Sequence, residues 1–360
     1  MKNRLTFLAG LLAVSLLAAC APTAAVPSNS TASQWLLIGI VSADARTTQA
    51  LVPVECVLAG RDCASEARFV YTKLGLAVGD AGARDAVSGD LLLTAEKDPT
   101  RLFRVTLDGS ATELSTGDES IGRLVPSPDG AWVAYERSAG GVDEVWLIRS
   151  DGTEARALTA GVAPAWSPDG QSLVVARVTA DGAGRDLWLV TVADGQARQL
   201  TDTPGVVEQD MVFSPDGTSL AFGAADLEAH ATHANLLSLQ AGAQPVDITP
   251  GAVYVSPIAF DPTGQTILVG MKQDDVLKLT LVDLNGNPLT AVPVDLRKSQ
   301  GDGGANATAW LSRSQIVFIR RISGLTYVYT YNFADGKANK VLDASVVTPG
   351  SAITSIRLAP

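Results

Sequence analysis

The chain is poor in the side chains that most often carry chemistry. Its 360 residues include only 2 histidines, 3 cysteines and 3 methionines. No cysteine–histidine zinc framework is spelled out, and neither an H-E-x-x-H helix nor a G-x-S-x-G nucleophile elbow occurs. Basic charge is scarce as well: 27 Lys and Arg stand against 38 Asp and Glu, a formal charge of −11. Nucleic acid is therefore not an expected partner, because neutralising phosphate needs a basic face. Anionic lipid headgroups offer such a chain no attraction either. After residue 19 there is no apolar run long enough to span a bilayer as a helix.

What the sequence does have is turns. Its 33 glycines and 18 prolines suit many short strands. One turn returns along the chain: Ser127-Pro128-Asp129-Gly130, Ser167-Pro168-Asp169-Gly170 and Ser214-Pro215-Asp216-Gly217, with a weaker copy at Asp261-Pro262-Thr263-Gly264. Proline presets φ for an early turn position. Aspartate can bond the backbone two residues on, and glycine accepts positive φ. The turn residues Asp129, Gly130, Asp169, Gly170, Asp216 and Gly217 are therefore read as structural, not as catalytic pairs. A turn recurring at this spacing marks a repeat architecture.

Each turn precedes an apolar strand such as Trp132-Val133-Ala134-Tyr135 or Leu173-Val174-Val175-Ala176. A variable loop follows, then a third strand such as Leu187-Trp188-Leu189-Val190. Next comes Asp151-Gly152, Asp194-Gly195 or Asn285-Gly286, a strong hairpin signal, and a last strand ending in Leu158-Thr159 or Leu200-Thr201. Four antiparallel strands per repeat make one propeller blade. Weaker copies extend the pattern to both sides. The prediction is an all-β propeller over 35–360 with seven blades, six being the alternative. In the seven-bladed form, the C-terminal strand Ile353–Leu358 pairs with N-terminal strands running over 35–41, 49–57 and 68–72. Such pairing would close the ring without exposed edges.

The N-terminus reads as a targeting segment. Lys2 and Arg4 precede an apolar run that ends in Leu17-Ala18-Ala19-Cys20. This ending resembles the lipobox of bacterial lipoproteins. That resemblance implies a signal peptide over 1–19, lipidation at Cys20, and a tether over 20–34 rich in Ala, Pro, Ser and Thr. Loss of Lys2 and Arg4 would take the charge from −11 to −13. An exported chain meets an oxidising compartment, so a disulfide between Cys56 and Cys63 is expected, with free thiols as the alternative.

The Ser-Pro-Asp-Gly turns, the apolar strand after each, and the Asp-Gly and Leu-Thr endings look like TolB-type β-propeller repeats. The same repeat builds the propellers of dipeptidyl-peptidase-like and prolyl-oligopeptidase-like enzymes. The resemblance covers about 85–345. It implies the fold and a tendency to bind proteins, peptides or glycans. It does not extend to the separate N-terminal domain of TolB or to the hydrolase domain of the peptidases.

Candidate sites are few. His230 and His233, near Asp226 and Glu228, are weak metal candidates, and a solvated polar loop is the plainer reading. Asp283-Leu284-Asn285-Gly286-Asn287 resembles the start of a calcium loop, but Pro288 and Val294 stand where Gly and Glu are needed, so a hairpin is expected. Trp132, Trp146, Trp166, Trp188 and Trp310 are expected between blades. Binding, if any, belongs to the rim formed by the loops between second and third strands and by the links between blades. That rim carries Glu208, Asp210, Asp274 and Asp275 against Arg320 and Arg321, an acidic mouth suited to a cationic ligand. The expectation is a lipid-anchored, non-catalytic, cofactor-free and monomeric propeller of the bacterial envelope. It would face the periplasm or exterior and bind a protein or peptide. The alternative is a glycan-binding, hydrolase or lyase propeller with its site in the central funnel.

Overall fold

A computed structural model describes residues 35–41, 47–70, 83–84, 90–95, 98–106, 110–115, 119–252, 255–273, 276–292, 308–322, 325–346 and 351–359. The signal segment, Cys20 and the tether lie outside the described residues. The fold is an all-β propeller. Its repeating sheet is clear at Ile121–Pro126, Trp132–Ala139, Val142–Arg149 and Arg156–Ala160, which pair antiparallel in that order. Sheets of the same plan begin at Ala83–Arg84, Val162–Trp166, Val206–Phe213, Val255–Phe260 and Thr308–Ser312, and each is named below by its first residue. The first strands of successive sheets lie against one another, from the 83-sheet to the 308-sheet, so they form the innermost layer. The 162- and 206-sheets run into one eight-stranded sheet through the parallel pair Arg185–Val207. At the chain ends, Ala352–Ala359 pairs with Trp35–Val41, which continues to Thr47–Pro53 and Arg68–Val70.

The recurring turn explains the order. Ser167 Oγ donates to Asp169 Oδ1 at 2.6 Å and accepts from the Ser172 N–H at 3.0 Å, while Asp169 Oδ1 accepts from the Gln171 N–H at 3.0 Å. The same bonds recur around Ser127 and Ser214, and all three serines are buried. At the weaker copy the roles change hands. Asp261 stands in the serine place, and its carboxylate accepts from Gln265 and Thr266 N–H at 2.8 Å and from Thr263. The turn glycines 130, 170 and 217 sit at φ near +70° (69°, 69° and 71°), where a side chain is strained.

These turns also interlock between sheets. A methyl group on Gly170 would lie 3.9 Å from Pro128 Cδ. On Gly217 it would lie 3.5 Å from Pro168 Cδ, and on Gly264 3.3 Å from Pro215 Cδ. Each proline ring therefore lies against the next sheet's turn glycine. The outer hairpins repeat the device. Gly152 faces Leu114, Gly195 faces the Leu158 carbonyl and Gly286 faces Ile248, each in the preceding sheet. The recurrent Leu-Thr ending has its own reason: Thr201 Oγ1 accepts from the Leu187 N–H at 2.8 Å, and Thr249 Oγ1 from the Ala234 N–H at 2.9 Å.

The apolar core lies between sheets. One cluster joins Ala134, Val145 and Leu147 of the 121-sheet to Trp166, Leu173 and Val190 of the 162-sheet. Trp166 Nε1 adds a bond of 2.8 Å to the Val125 carbonyl. Trp310 stacks on Phe333 within its own sheet, with centroids 5.5 Å apart. One expected strand is corrected. The ladder over 49–57 stops at Pro53, which lacks an N–H, and Val54–Leu58 is a short helix. Cys56 on that helix is bonded to Cys63, so the expected disulfide is present.

The turn aspartates set the acid response. Hydrogen bonds from the serine hydroxyl and then from the backbone hold the carboxyls of Asp129, Asp169 and Asp216 below their usual range. A depressed carboxyl contributes stability that is whole above its unfolded value, about 4, and is lost as pH falls through the folded value. Urea midpoints taken from neutral pH downward should fall below about pH 4, and fall less in the variant D129N/D169N/D216N. Ser167→Ala should cost about 1–2 kcal/mol in the same assay. Gly286→Ala should cost more, since its methyl would meet the Ile248 oxygen at 2.2 Å.

Candidate functional site

Because equivalent turns stack on each other, they share one face. The opposite face holds the hairpins between second and third strands and the links from sheet to sheet. Two adjoining clefts open there at the 162-sheet. The larger, about 420 Å³, lies between Arg177–Asp181 on one side and Asp202 and Pro204 on the other, with Asp186, Trp188 and Gln199 lining it. The smaller, about 330 Å³, lies between Gly141–Asp143 and Gly161–Val162, and shares Arg177 and Val178 with the first.

Arg177 is the post between them. Its guanidinium carbon stands 4.5 Å over the Trp188 ring. Its Nε donates to the Ala160 carbonyl at 3.1 Å and its Nη2 to the Thr159 hydroxyl, binding the preceding sheet's last strand. Burial pulls its pKa below the ordinary guanidinium value. The pairing is a repeated feature. Arg137 stands 4.6 Å over Trp146 and Arg320 stands 5.5 Å over Tyr329. Arg320, expected on the rim, is thus engaged with an aromatic ring. In the 206-sheet, Ala224 and its cross-strand partner His233 replace the row of Arg177 and Asp186.

A buried carboxylate lies behind the link that carries Asp202 and Pro204 of the larger cleft. Glu208, expected at the rim, is 1% exposed. Its Oε2 accepts from the Leu187 N–H at 3.1 Å and the Thr201 hydroxyl, and its Oε1 accepts from the Thr203 hydroxyl at 2.8 Å. Asp186 accepts from the Thr203 N–H at 3.0 Å and from Gln199 Nε2 at 3.1 Å. Two carboxylates from adjacent sheets therefore hold the link 201–203. Burial pushes Glu208 above the usual carboxyl range, against the hydrogen bonds from Thr201 and Thr203. At the cleft's outer lip, Asp181 is held low by the Thr179 hydroxyl and the Ala183 N–H.

The other predicted residues are dispersed. Asp210 lies in a bulge of the innermost strand at φ 54°. Asp274, Asp275 and the Arg321 side chain lie outside the described residues. His230 sits in a turn at φ 53°, while His233 Nδ1 lies 3.3 Å from Asp247 Oδ2. Among the described residues no group of three His, Cys, Asp or Glu is placed to hold a metal. Asp283 bonds the N–H groups of Asn285 and Asn287, as a hairpin turn does. Sequence reasoning did not pair Arg177 with Trp188. The available signal was an arginine ten residues past the turn serine in two successive repeats, Arg137 and Arg177.

This geometry defines a TolB-like β-propeller fold. TolB from Acinetobacter baumannii is 14% identical with a TM-score of 0.50, over 78% of this chain and 65% of that one. A Mycobacterium tuberculosis puromycin-hydrolyzing peptidase is 17% identical with a TM-score of 0.62, over 86% of this chain and 53% of that one. A protein from Bacteroides uniformis assigned as a 6-phosphogluconolactonase is 15% identical with a TM-score of 0.58, over 91% and 99%. The chain thus spans about two thirds of that TolB and about half of the peptidase. No protein-family model and no curated protein matches the sequence.

Removing Glu208 takes the close acceptor from the Thr201 and Thr203 hydroxyls, while the Leu187 N–H keeps Thr201 Oγ1. Glu208→Ala should therefore cost about 1–3 kcal/mol in thermal or urea unfolding. The pH dependence has the opposite sign to that of the turn aspartates. A carboxyl raised in the folded state is penalised as pH climbs from its unfolded value, about 4, towards its folded one. The stability of Glu208→Gln relative to wild type should therefore improve as pH rises through that range.

Proposed function

We propose that the chain is a lipid-anchored, extracytoplasmic β-propeller that binds a protein or peptide of the cell envelope and catalyses no reaction itself. The observation that carries this reading is the pair of adjoining clefts on the face of variable hairpins, set around Arg177 and Trp188. Concave, partly apolar sites with a few fixed polar groups are where a scaffold accepts side chains. The anchor is read from Leu17-Ala18-Ala19-Cys20 in the sequence. The propeller has seven blades in this reading, which is supported by sheets of one plan along the chain and by the pairing of Ala352–Ala359 with Trp35–Val41, a pairing that would close the ring. Similarity of fold does not choose the function, since the similar structures include both TolB and proteins named as enzymes.

Two measurements test this. Cys20→Ala should abolish incorporation of labelled fatty acid and move the chain out of the membrane fraction. In cells, a photo-crosslinker at Ser138 or Ala180 should capture an envelope protein, while one at Thr153 or Gln196 on the turn face should not. Equal capture from both faces, or none from either, would overturn the binding role.

A further inference from the structure

Large aliphatic side chains are mostly sealed inside this fold, yet several stand in solvent at equivalent places. Val142 is 54% exposed, Val178 63%, Leu227 53% and Leu325 40%. Each belongs to the hairpin between second and third strands of its own sheet. Val142 opens Val142–Arg149, Val178 closes Ser172–Val178, Leu227 follows Ser219–Asp226, and Leu325 opens Leu325–Asn332. A single exposed aliphatic residue needs no explanation, but a set repeated at the tips of one face does.

Acids outnumber cations around them, most clearly at the larger cleft, where Asp181, Asp186 and Asp202 face Arg177. The tips 138–143, 178–185 and 226–231 contain Asp143, Asp181, Asp226 and Glu228 against Arg185, and Arg320 stands near the fourth tip. Asp202 adds another acid beside Val178, across the larger cleft. Arg177, beside Val178, is spent on Trp188, Thr159 and Ala160, while Arg185, the cross-strand partner of Val178, lines the smaller cleft. The two clefts have different characters. The smaller is lined by Val142, Val162 and Val178 with Asp143 and Arg185 at its edge, the larger by Asp181, Asp186, Asp202 and Trp188, and Arg177 borders both.

We infer that this face docks a basic, amphipathic segment of a partner protein. An aliphatic side chain of that segment seats in the smaller cleft and a lysine or arginine in the larger one. The inference rests on the binding role proposed above and adds the chemistry of the partner. Charge complementarity selects this occupant: the acid excess of the larger cleft, beside aliphatic tips, attracts interleaved cationic and apolar side chains and repels an anionic lipid surface.

The test uses the full chain and a short fluorescent probe peptide of alternating lysine and leucine, followed by anisotropy. The lysine–leucine probe should bind saturably, and a glutamate–leucine probe should not. The variants V142N/V178N and D181N/D202N should each weaken binding about tenfold, while Val246→Asn, on an outermost strand, should leave it unchanged. Should any variant fail to fold, a photoreactive probe on the wild-type chain should form adducts at the hairpin tips. Unchanged binding in both double variants, equal binding of both probes, or adducts on the turn face would overturn the inference. So would a dimer, or adsorption to phosphatidylethanolamine vesicles, that V142N/V178N abolishes, since either gives the face another occupant. A partner captured in cells while the probe misses the tips sinks this inference alone. A seated probe with no captured partner sinks the envelope role instead.

Discussion

The structure depends on a small buried hydroxyl held by a carboxylate. In each Ser-Pro-Asp-Gly turn the serine oxygen both donates to the aspartate and accepts from the strand that follows. That fixes where the second strand begins relative to the first. The turn is then stacked, proline upon glycine, against the same turn in the next sheet. A register set within one sheet is thereby handed to the next. Hydrophobic burial between sheets supplies most of the free energy, but it is not directional. The polar turn supplies the direction.

The same interlock divides the molecule into two unlike faces. On the turn face, the outer hairpin glycines press on the backbone or side chains of the preceding sheet, and Gly286 has no room even for a methyl group. Insertions there would separate the sheets. On the opposite face the hairpins between second and third strands vary in length and sequence, apart from close contacts such as Gly184 on Val206, and their tips carry exposed apolar and acidic groups. Variation among the repeats is thus concentrated on one side by packing, not by any property of the loops themselves.

Much of this was legible in the sequence. The turns, the Asp-Gly hairpins and the Leu-Thr endings are local signals, and each does in the fold what its chemistry suggested. Even the divergent turn at Asp261 kept its function, because a carboxylate can accept the bonds that serine and aspartate share elsewhere. Glu208 was misplaced for a physical reason. A glutamate near a link reads as exposed, and its burial depends on the approach of two sheets that no local pattern encodes. The same holds for Arg177: the arginine is visible, but its seat over Trp188 follows from a diagonal across two strands. The helix at Val54–Leu58 was missed because apolar residues without clear periodicity fit a short helix as well as a strand.

The seam between the 162- and 206-sheets joins the two themes. Gly184 approaches the Val206 carbonyl so closely that a methyl there would lie 2.4 Å from the oxygen, and Arg185 pairs with Val207 across the gap. Behind that contact, Glu208 and Asp186 gather the donors of Leu187, Thr201, Thr203 and Gln199. Burying two carboxylates is costly, and an apolar seam of the same shape would cost less. What the carboxylates add is position. They hold the link from Thr201 to Thr203, and with it one wall of the larger cleft, by several hydrogen bonds at once. A wall held in this way has little freedom left to lose, so the binding proposed for this cleft would keep more of its contact energy as affinity. The polar seam and the cleft it borders are therefore best understood as a single device.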